Sequence, residues 1–334
     1  MKVYIKSTST ITPQSTFDQS SYLKEWLTQE GPFLSAHEPD YKSLINPRLL
    51  RRMSRIIKMG VATSLQALKD ANVENPGAII VGTGLGCIQD TEKFLVDILE
   101  SKEGILSPTA FIQSTHNTVA GQIALLLKCT EDNFTYVNRG HSFENSLQDA
   151  VLRVKEGVDN VLVGGADEMT NEIAAIIGEI KCNPSNLWGE GASFFVLSKD
   201  PGENQIVLNG ISTANKLKAT EITGAADKFL DKLGMTASDI DAVVIGGEDS
   251  DPYNSSISNH FTDQAIYNFK AVTGENFTAS SFGLNLGVNL LQNPEIDSAI
   301  KIKDGKKNKF KTVLMYNHYR GVNHTFALVS HESL

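Results

Sequence analysis

The sequence predicts an α/β protein made of two copies of one unit. Two observations lead there. Short apolar runs that end in glycine alternate with helical stretches of about 12 residues. The order of strands, turns and helices then starts again after residues 200–204, and such recurrence is a mark of duplication. The copies are residues 1–200 and residues 201–334, expected to close into one compact unit.

In the first copy, residues 3–6 read as a short strand and residues 47–71 as one long helix. GAIIVGTGLG (77–86) is a buried strand running into a glycine turn. NFTYVNRGHSFENSLQDAV (133–151) reads as strand, turn, helix. NVLVGGADE (160–168) is a third strand, and residues 193–198 are a fourth, edge-like one. In the second copy, residues 205–213 open the cycle and a helix covers 225–233. DAVVIGGEDS (241–250) stands where GAIIVGTGLG stood. Residues 256–269 read as helix, and ENFTASSFGLNLGVNLL (275–291) as strand, turn, helix. Residues 312–321 and 324–330 close the cycle.

Composition bounds the function. With 334 residues, 41% hydrophobic and 21% charged, the chain is not disordered, collagenous or a coiled coil. A net charge of −9 opposes nucleic-acid binding through the bulk field. No apolar run approaches the ~18–20 residues that span a bilayer. The first residues are too polar for a secretory signal. Three cysteines make no disulfide framework, so the expected compartment is a reducing cytoplasm.

Four strings carry a resemblance. RRMSRIIKMGVATSLQALKDANV (51–73) is a basic amphipathic segment, and IIVGTGLG (79–86) a strand and turn. STHNTVAGQIALLL (114–127) is the third. VLVGGADE (161–168) followed by WGEGASFFVLS (188–198) is the fourth. Together they resemble the thiolase superfamily, and within it the β-ketoacyl-acyl-carrier-protein synthases. The resemblance implies a duplicated five-layer α-β-α-β-α fold. It covers most of residues 51–198 and is weaker in the second half, where it rests on FGLNLGVNLL and YNHYRGVNHTFALV. The chain is also shorter than typical members.

The chemistry of that family needs a cysteine to carry the acyl chain and two histidines to help decarboxylate the extender. The thiol sits on a strand-to-helix turn, where backbone amides and the helix N-terminus lower its pKa and hold an oxyanion. The resemblance puts the nucleophile slot at Gly140, the first histidine slot at Glu248 and the second at Leu284. The glycine-rich C-terminal loop is altered to Asn317-His318-Tyr319-Arg320-Gly321. All three catalytic identities are therefore missing. Cys87, Cys129 and Cys182 stand elsewhere and read as small packing residues.

Other polar residues offer alternatives. Gly140-His141-Ser142 is similar to the exposed-serine turn of hydrolases, but Ser142 also suits a helix cap and Glu144 a first helical turn. His116 reads as a packing residue. No HExxH, CxxC or paired-histidine spacing points to a metal. GTGLG lacks the full dinucleotide-loop spacing, and the acidic run from Glu248 to Asp251 lacks a cation-loop pattern. No cofactor is expected. Arg48, Arg51, Arg52, Arg55 and Lys58 form a cationic stripe. In the resembling family this region docks the acidic acyl carrier protein, which assigns docking to Arg51, Arg52 and Arg55.

The expectation is a non-catalytic subunit similar to the chain-length factors, paired with a cysteine-bearing synthase and served by acyl carrier protein. The pathway class expected is polyketide or fatty-acid synthesis of the aryl-polyene or flexirubin type. The alternative is an acyltransferase of altered chemistry using Ser142 with His141 or His318. A homodimer or heterodimer is expected through the strand at residues 133–138.

Overall fold

The computed structural model describes residues 1–101, 104, 106, 108–179, 187–293 and 298–332. The first half runs β1 (Tyr4–Ile11), α1 (Pro47–Leu50), α2 (Arg55–Asp70), β2 (Ala78–Gly82), α3 (Ile88–Ser101), α4 (Pro108–Gln113), α5 (Thr118–Leu127), β3 (Asp132–Tyr136), α6 (Ser142–Lys155), β4 (Val161–Asp167), α7 (Asn171–Glu179) and β5 (Gly191–Ser198). The second runs β6 (Ile206–Asn215), α8 (Ile222–Asp231), β7 (Ala242–Ile245), α9 (Pro252–His260), β8 (Ala265–Asn268), α10 (Lys270–Thr273), α11 (Ala279–Gln292), β9 (Lys301–Lys303), β10 (Thr312–Tyr319) and β11 (Asn323–His331).

The strand order is β3-β2-β4-β5-β1 followed by β6-β11-β10-β7-β8-β9. Outward from the centre the two halves match strand for strand, with β9 added at the end. The pairing senses match too. β2 is parallel to β3 and β4 as β7 is to β8 and β10, while β5 and β11 are antiparallel to their neighbours. The halves join where Tyr4 and Ile5 of β1 face Val207 and Ile206 of β6.

Alternation within the strands builds the layers. In β2, Ile79 and Val81 join Ile56, Ile57 and Val119 of α2 and α5, whereas Ala78 and Ile80 join Phe143 and Leu147 of α6. Successive side chains point to opposite faces, and both faces are covered, so the strand is apolar throughout. In the second half Val243 and Ile245 meet α8 and α9, while Val244 meets α11. The order is therefore α2/α5, half-sheet, α6/α11, half-sheet, α8/α9. This is the duplicated five-layer arrangement of the thiolase-like fold. Helix α11 lies at the centre with every residue from Ala279 to Leu291 buried. Its two internal asparagines stay bonded: Tyr22 donates to Asn285 Oδ1 at 2.8 Å, and Asn289 Nδ2 donates to the Asn285 carbonyl at 2.9 Å.

Four element readings are corrected. The helix expected over 47–71 breaks between α1 and α2. The Ile56 amide is held by Glu168 Oε2 at 3.1 Å, and the Arg52 carbonyl that would have accepted it is taken by Gln113 Nε2. The strand at 193–198 is interior, between β4 and β1, and the open edges fall to β3 and β9. Residues 256–269 are not all helix. Ile266 and Tyr267 enter opposite clusters as parts of β8, and an apolar run this short carries no decisive period. Residues 275–278 form the turn before α11, not a strand.

Candidate functional site

The strand-to-helix turn between β3 and α6 is tightly wound. Arg139 takes the left-handed region at φ 48°, a strained setting for a non-glycine residue. Ser142 Oγ donates to the Arg139 carbonyl at 2.8 Å and accepts from the Asn138 amide at 2.9 Å. Its hydroxyl thus closes the turn. His141 is buried. Asn323 Nδ2 donates to its Nδ1 at 3.4 Å and its Nε2 donates to the His324 carbonyl at 3.3 Å. Burial holds the His141 pKa below the usual histidine value. The side chains of Ser142 and His141 are both engaged in holding the backbone.

Gly140 is buried at the tip of the turn, and the side chain of Tyr319 lies directly on it. A Cβ at Gly140 would stand 2.3 Å from Tyr319 Cβ and 2.6 Å from its Cγ. Tyr319 meets Phe277 with ring centroids 5.2 Å apart, and Phe277 meets Trp188 at 5.6 Å. Phe277 in turn covers Gly84 of the GTGLG turn, where a Cβ would come within 2.2 Å of its ring. The space in front of the elbow is filled by three rings from three separate segments.

Glu248 is exposed beyond β7. Leu284 is fully buried on α11 in the central cluster. Glu248 accepts from the Ser250 hydroxyl at 3.3 Å. The run's last acid, Asp251, caps α9 by accepting from the amides of Tyr253 at 2.9 Å and Asn254 at 3.2 Å. His318 Nε2 stands 3.1 Å from Asp251 Oδ1, and His318 Nδ1 accepts from the Gly321 amide at 3.1 Å. Burial works to raise the Asp251 carboxyl, but His318 and the two amides outweigh it and hold it below the usual range. His324 Nε2 donates to the Gly321 carbonyl at 3.1 Å. Gly321, at the tip of the β10–β11 hairpin, is thus held through its amide by His318 and through its carbonyl by His324. Burial pushes His324 down to about 4.

Sequence reading missed a buried ion pair. Lys270 Nζ donates to Glu275 Oε2 at 2.8 Å and to the His318 carbonyl at 2.9 Å. The signal was a lysine inside the apolar run IYNFKAV, five residues before a glutamate. The motif acids are bonded to backbone as well. Asp167 accepts from the Gly84 and Leu85 amides, Thr83 and Thr278. Glu168 accepts from Ile56 and Gln89 amides, and burial raises it to about 7. Glu190 accepts from the Ala36 and Met169 amides and pairs with Arg55. These strings persist because the scaffold uses their carboxylates.

Cys87 is buried; burial first, then Glu168 and Asp90, push its thiol well up. Cys129 is half-buried, and its thiol donates to the Pro76 carbonyl at 3.5 Å. Cys182 lies outside the described residues. His116 is exposed beside Gly86. Among the described residues no group of three or more His, Cys, Asp or Glu is placed to hold a metal ion, and no helix is long and apolar enough to cross a membrane.

The cationic stripe divides. Arg51 and Arg52 are exposed, but Arg55 turns inward to Glu38 at 2.5 Å and to fully buried Glu190. The Arg55 guanidinium compensates an interior carboxylate. Lys42, Arg51 and Lys58, with the one acid Asp40, line an open groove of about 730 Å³ together with Tyr41 and Leu50. Edge strand β3 exposes Phe134, α5 exposes Leu125, α4 exposes Phe111 and Ile112, and α3 exposes Leu95 and Leu99.

Residues 24–181 match the family described as beta-ketoacyl synthase, N-terminal domain. A 3-oxoacyl-acyl-carrier-protein synthase homolog of Saccharomyces cerevisiae is 24% identical over 193 residues, covering 52% of this chain. The matched part is 43% of the yeast protein, so the chain spans less than half the length of that curated relative. Among solved structures, the ishigamide ketosynthase/chain length factor aligns at TM-score 0.76 and 16% identity over 99% of both chains. A ketosynthase in complex with its chain length factor from Xenorhabdus doucetiae aligns at 0.74 and 15% over 98% of both. A beta-ketoacyl synthase from Burkholderia phymatum aligns at 0.74 and 15% over 99% of both. These likenesses establish the fold over its full length.

Proposed function

We propose that this chain, a thiolase-fold protein carrying a β-ketoacyl synthase N-terminal domain, is a non-catalytic subunit of the chain-length-factor kind, working beside a cysteine-bearing synthase in fatty-acid or polyketide-type synthesis. One observation carries the reading: the strand-to-helix turn presents Gly140, with Tyr319 laid over it. Thioester chemistry needs a thiolate at that turn, and there is no side chain to supply one. Ser142 supports no ester-forming alternative, because both partners of its hydroxyl are backbone groups of the same turn.

The partner surface proposed is edge strand β3 with the apolar residues of α3, α4 and α5 beside it. An open edge flanked by exposed Phe, Ile and Leu is a liability that pairing removes. The carrier-protein surface proposed is the groove with Lys42, Arg51 and Lys58, together with Arg52; a local cationic rim attracts an acidic partner even on an acidic protein. The compartment proposed is the cytoplasm, and the product class an aryl-polyene or flexirubin pigment, which deletion of the gene and extraction of pigment would check.

The test of the central reading is intact mass and product analysis with acyl- and malonyl-carrier-protein thioesters, with and without a cysteine-bearing synthase. The isolated chain is expected to gain no acyl mass and form no β-ketoacyl product. With the partner, product is expected to appear with the acyl group on the partner alone. Product from the isolated chain above background overturns the proposal.

A further inference from the structure

We infer that Trp188, Phe277 and Tyr319 form a fixed plug that bars a pantetheine-sized thioester arm from this chain's own elbow, and that the Lys270–Glu275 pair is the positioning element that holds all three rings. The inference rests on the non-catalytic reading, since a plug matters only where the chain's own turn is not loaded.

The connections run through one residue. The Glu275 amide donates to the Leu187 carbonyl at 2.7 Å, and its carbonyl accepts from the Gly189 amide at 2.9 Å. Trp188 lies between those two partners. The Glu275 carboxylate holds Lys270, and Lys270 holds the His318 carbonyl, which belongs to the peptide leading into Tyr319. Phe277 follows Glu275 by two residues. The far side of Tyr319 is fixed by the hairpin turn, where Arg320 and Gly321 take φ of 54° and 63°. Gly321 is held through its amide by His318 and through its carbonyl by His324. Tyr253 packs on Gly321 so closely that a Cβ there would meet its ring at 2.7 Å. The backbone on both sides of Trp188 and of Tyr319 is therefore held, and Phe277 packs against both rings.

The plug fills the volume of the missing nucleophile and not merely the approach to it, because Tyr319 Cβ stands 2.3 Å from where a Cβ of residue 140 would be. A thiol introduced by Gly140→Cys would have to displace the tyrosine before it could meet any reagent. An arm reaching past Gly84 would have to displace Phe277 as well.

The experiment compares Gly140→Cys, Gly140→Cys/Tyr319→Ala, and the latter with Phe277→Ala. Each is exposed to iodoacetamide, a small thiol reagent, and to pantethine. In the second reaction the introduced thiolate attacks the disulfide, joins one pantetheine half as a mixed disulfide and releases the other as a thiol. Peptide mass mapping separates the new thiol from the three native cysteines. Folding is checked by circular dichroism and cooperative thermal unfolding. Gly140→Cys is expected to label at least tenfold more slowly than the double variant with iodoacetamide. The step to pantethine labelling is expected to need Phe277→Ala as well. Glu275→Gln in the Gly140→Cys background is expected to raise labelling several-fold without touching a ring. Equal labelling of all variants overturns the plug.

A second arm needs no new cysteine. Tyr319→Ala/Phe277→Ala in the natural sequence is expected to gain saturable binding of a fluorescent polyene fatty acid that the parent lacks; a folded variant with no gain also overturns it. Product formed by the isolated parent would sink the non-catalytic reading while leaving the labelling rates to decide the plug.

Discussion

Lys270 and Glu275 are joined Nζ to Oε2 at 2.8 Å with both side chains almost wholly out of water. Removing one partner of such a pair strands a charge in the interior, which costs about 3–5 kcal/mol, whereas replacing both by apolar groups is often neutral. Lys270→Met is therefore expected to lose stability on that scale. Lys270→Met/Glu275→Leu is expected to recover most of it. Urea unfolding of the three proteins checks this, and a double variant as unstable as the single one would show that the bond to the His318 carbonyl matters more than the charge pair.

Stability should fall as pH rises from about 5 to about 8. Glu144 is fully buried, with Thr325 Oγ1 donating to it at 3.1 Å, and burial raises its pKa from 4.5 to about 7. The folded value lies above the unfolded one. The contribution is thus complete below the unfolded pKa and is lost as pH rises through the folded one. A shift of this size corresponds to roughly 3 kcal/mol once ionisation is complete. Glu168, raised by burial to about 7, acts in the same direction. Glu144→Gln is expected to remove part of the decline between about pH 5 and about pH 8, the other carboxylates raised by burial, Glu168, Asp167 and Glu190, carrying the rest, measured by denaturant midpoints across that range. An unchanged slope would mean that Glu144 is ionised throughout at little cost.

The arginines of the cationic stripe should separate by experiment. Arg55→Ala leaves Glu190 buried without its cation and is expected to destabilise by about 2 kcal/mol. Arg51→Ala/Arg52→Ala alters exposed groups and is expected to stay within about 0.5 kcal/mol. Carrier-protein affinity should show the reverse order. Arg51→Ala/Arg52→Ala should weaken binding, with the difference fading at high salt as exposed charges are screened. Titration calorimetry at two salt concentrations decides it; equal affinity of the double variant and the parent removes the docking surface.

Association should depend on the apolar face beside β3. Leu125 and Ile112 are among the most exposed aliphatic side chains, and a charge buried opposite a partner without compensation costs several kcal/mol. Leu125→Glu/Ile112→Glu is expected to shift a dimer toward monomer in sedimentation velocity with unchanged circular dichroism. A parent already monomeric, with no partner captured from a synthase-containing mixture, would count against the surface.

The layers were legible because strand alternation and glycine turns are local signals. GAIIVGTGLG and VLVGGADE announce β2 and β4 with the turns that Asp167 and Glu168 hold. What stayed hidden was non-local. Near Arg51–Ser54 only Ser54, the N-cap of α2, marks the break locally, and the carboxylate that holds the Ile56 amide, Glu168, is more than a hundred residues away. Short β8 could not be told from helix, and with that strand misplaced the lysine and glutamate following it had no address. Trp188, Phe277 and Tyr319 looked like three scattered aromatics. Only the closure of the two halves puts them on one glycine turn and one elbow.

The contact between Tyr319 and Gly140 also shapes which sequences are reachable from this one. A cysteine at position 140 must overpack an occupied space, at about 1–3 kcal/mol. Clearing that space first, by Tyr319→Ala, leaves a cavity beside Phe277 and costs about 3 kcal/mol or more. Against the 5–15 kcal/mol that typically holds a domain together, either opening move is a serious loss. The chain sits at the bottom of a one-way slope: every single-letter route toward a working thiol begins by going uphill.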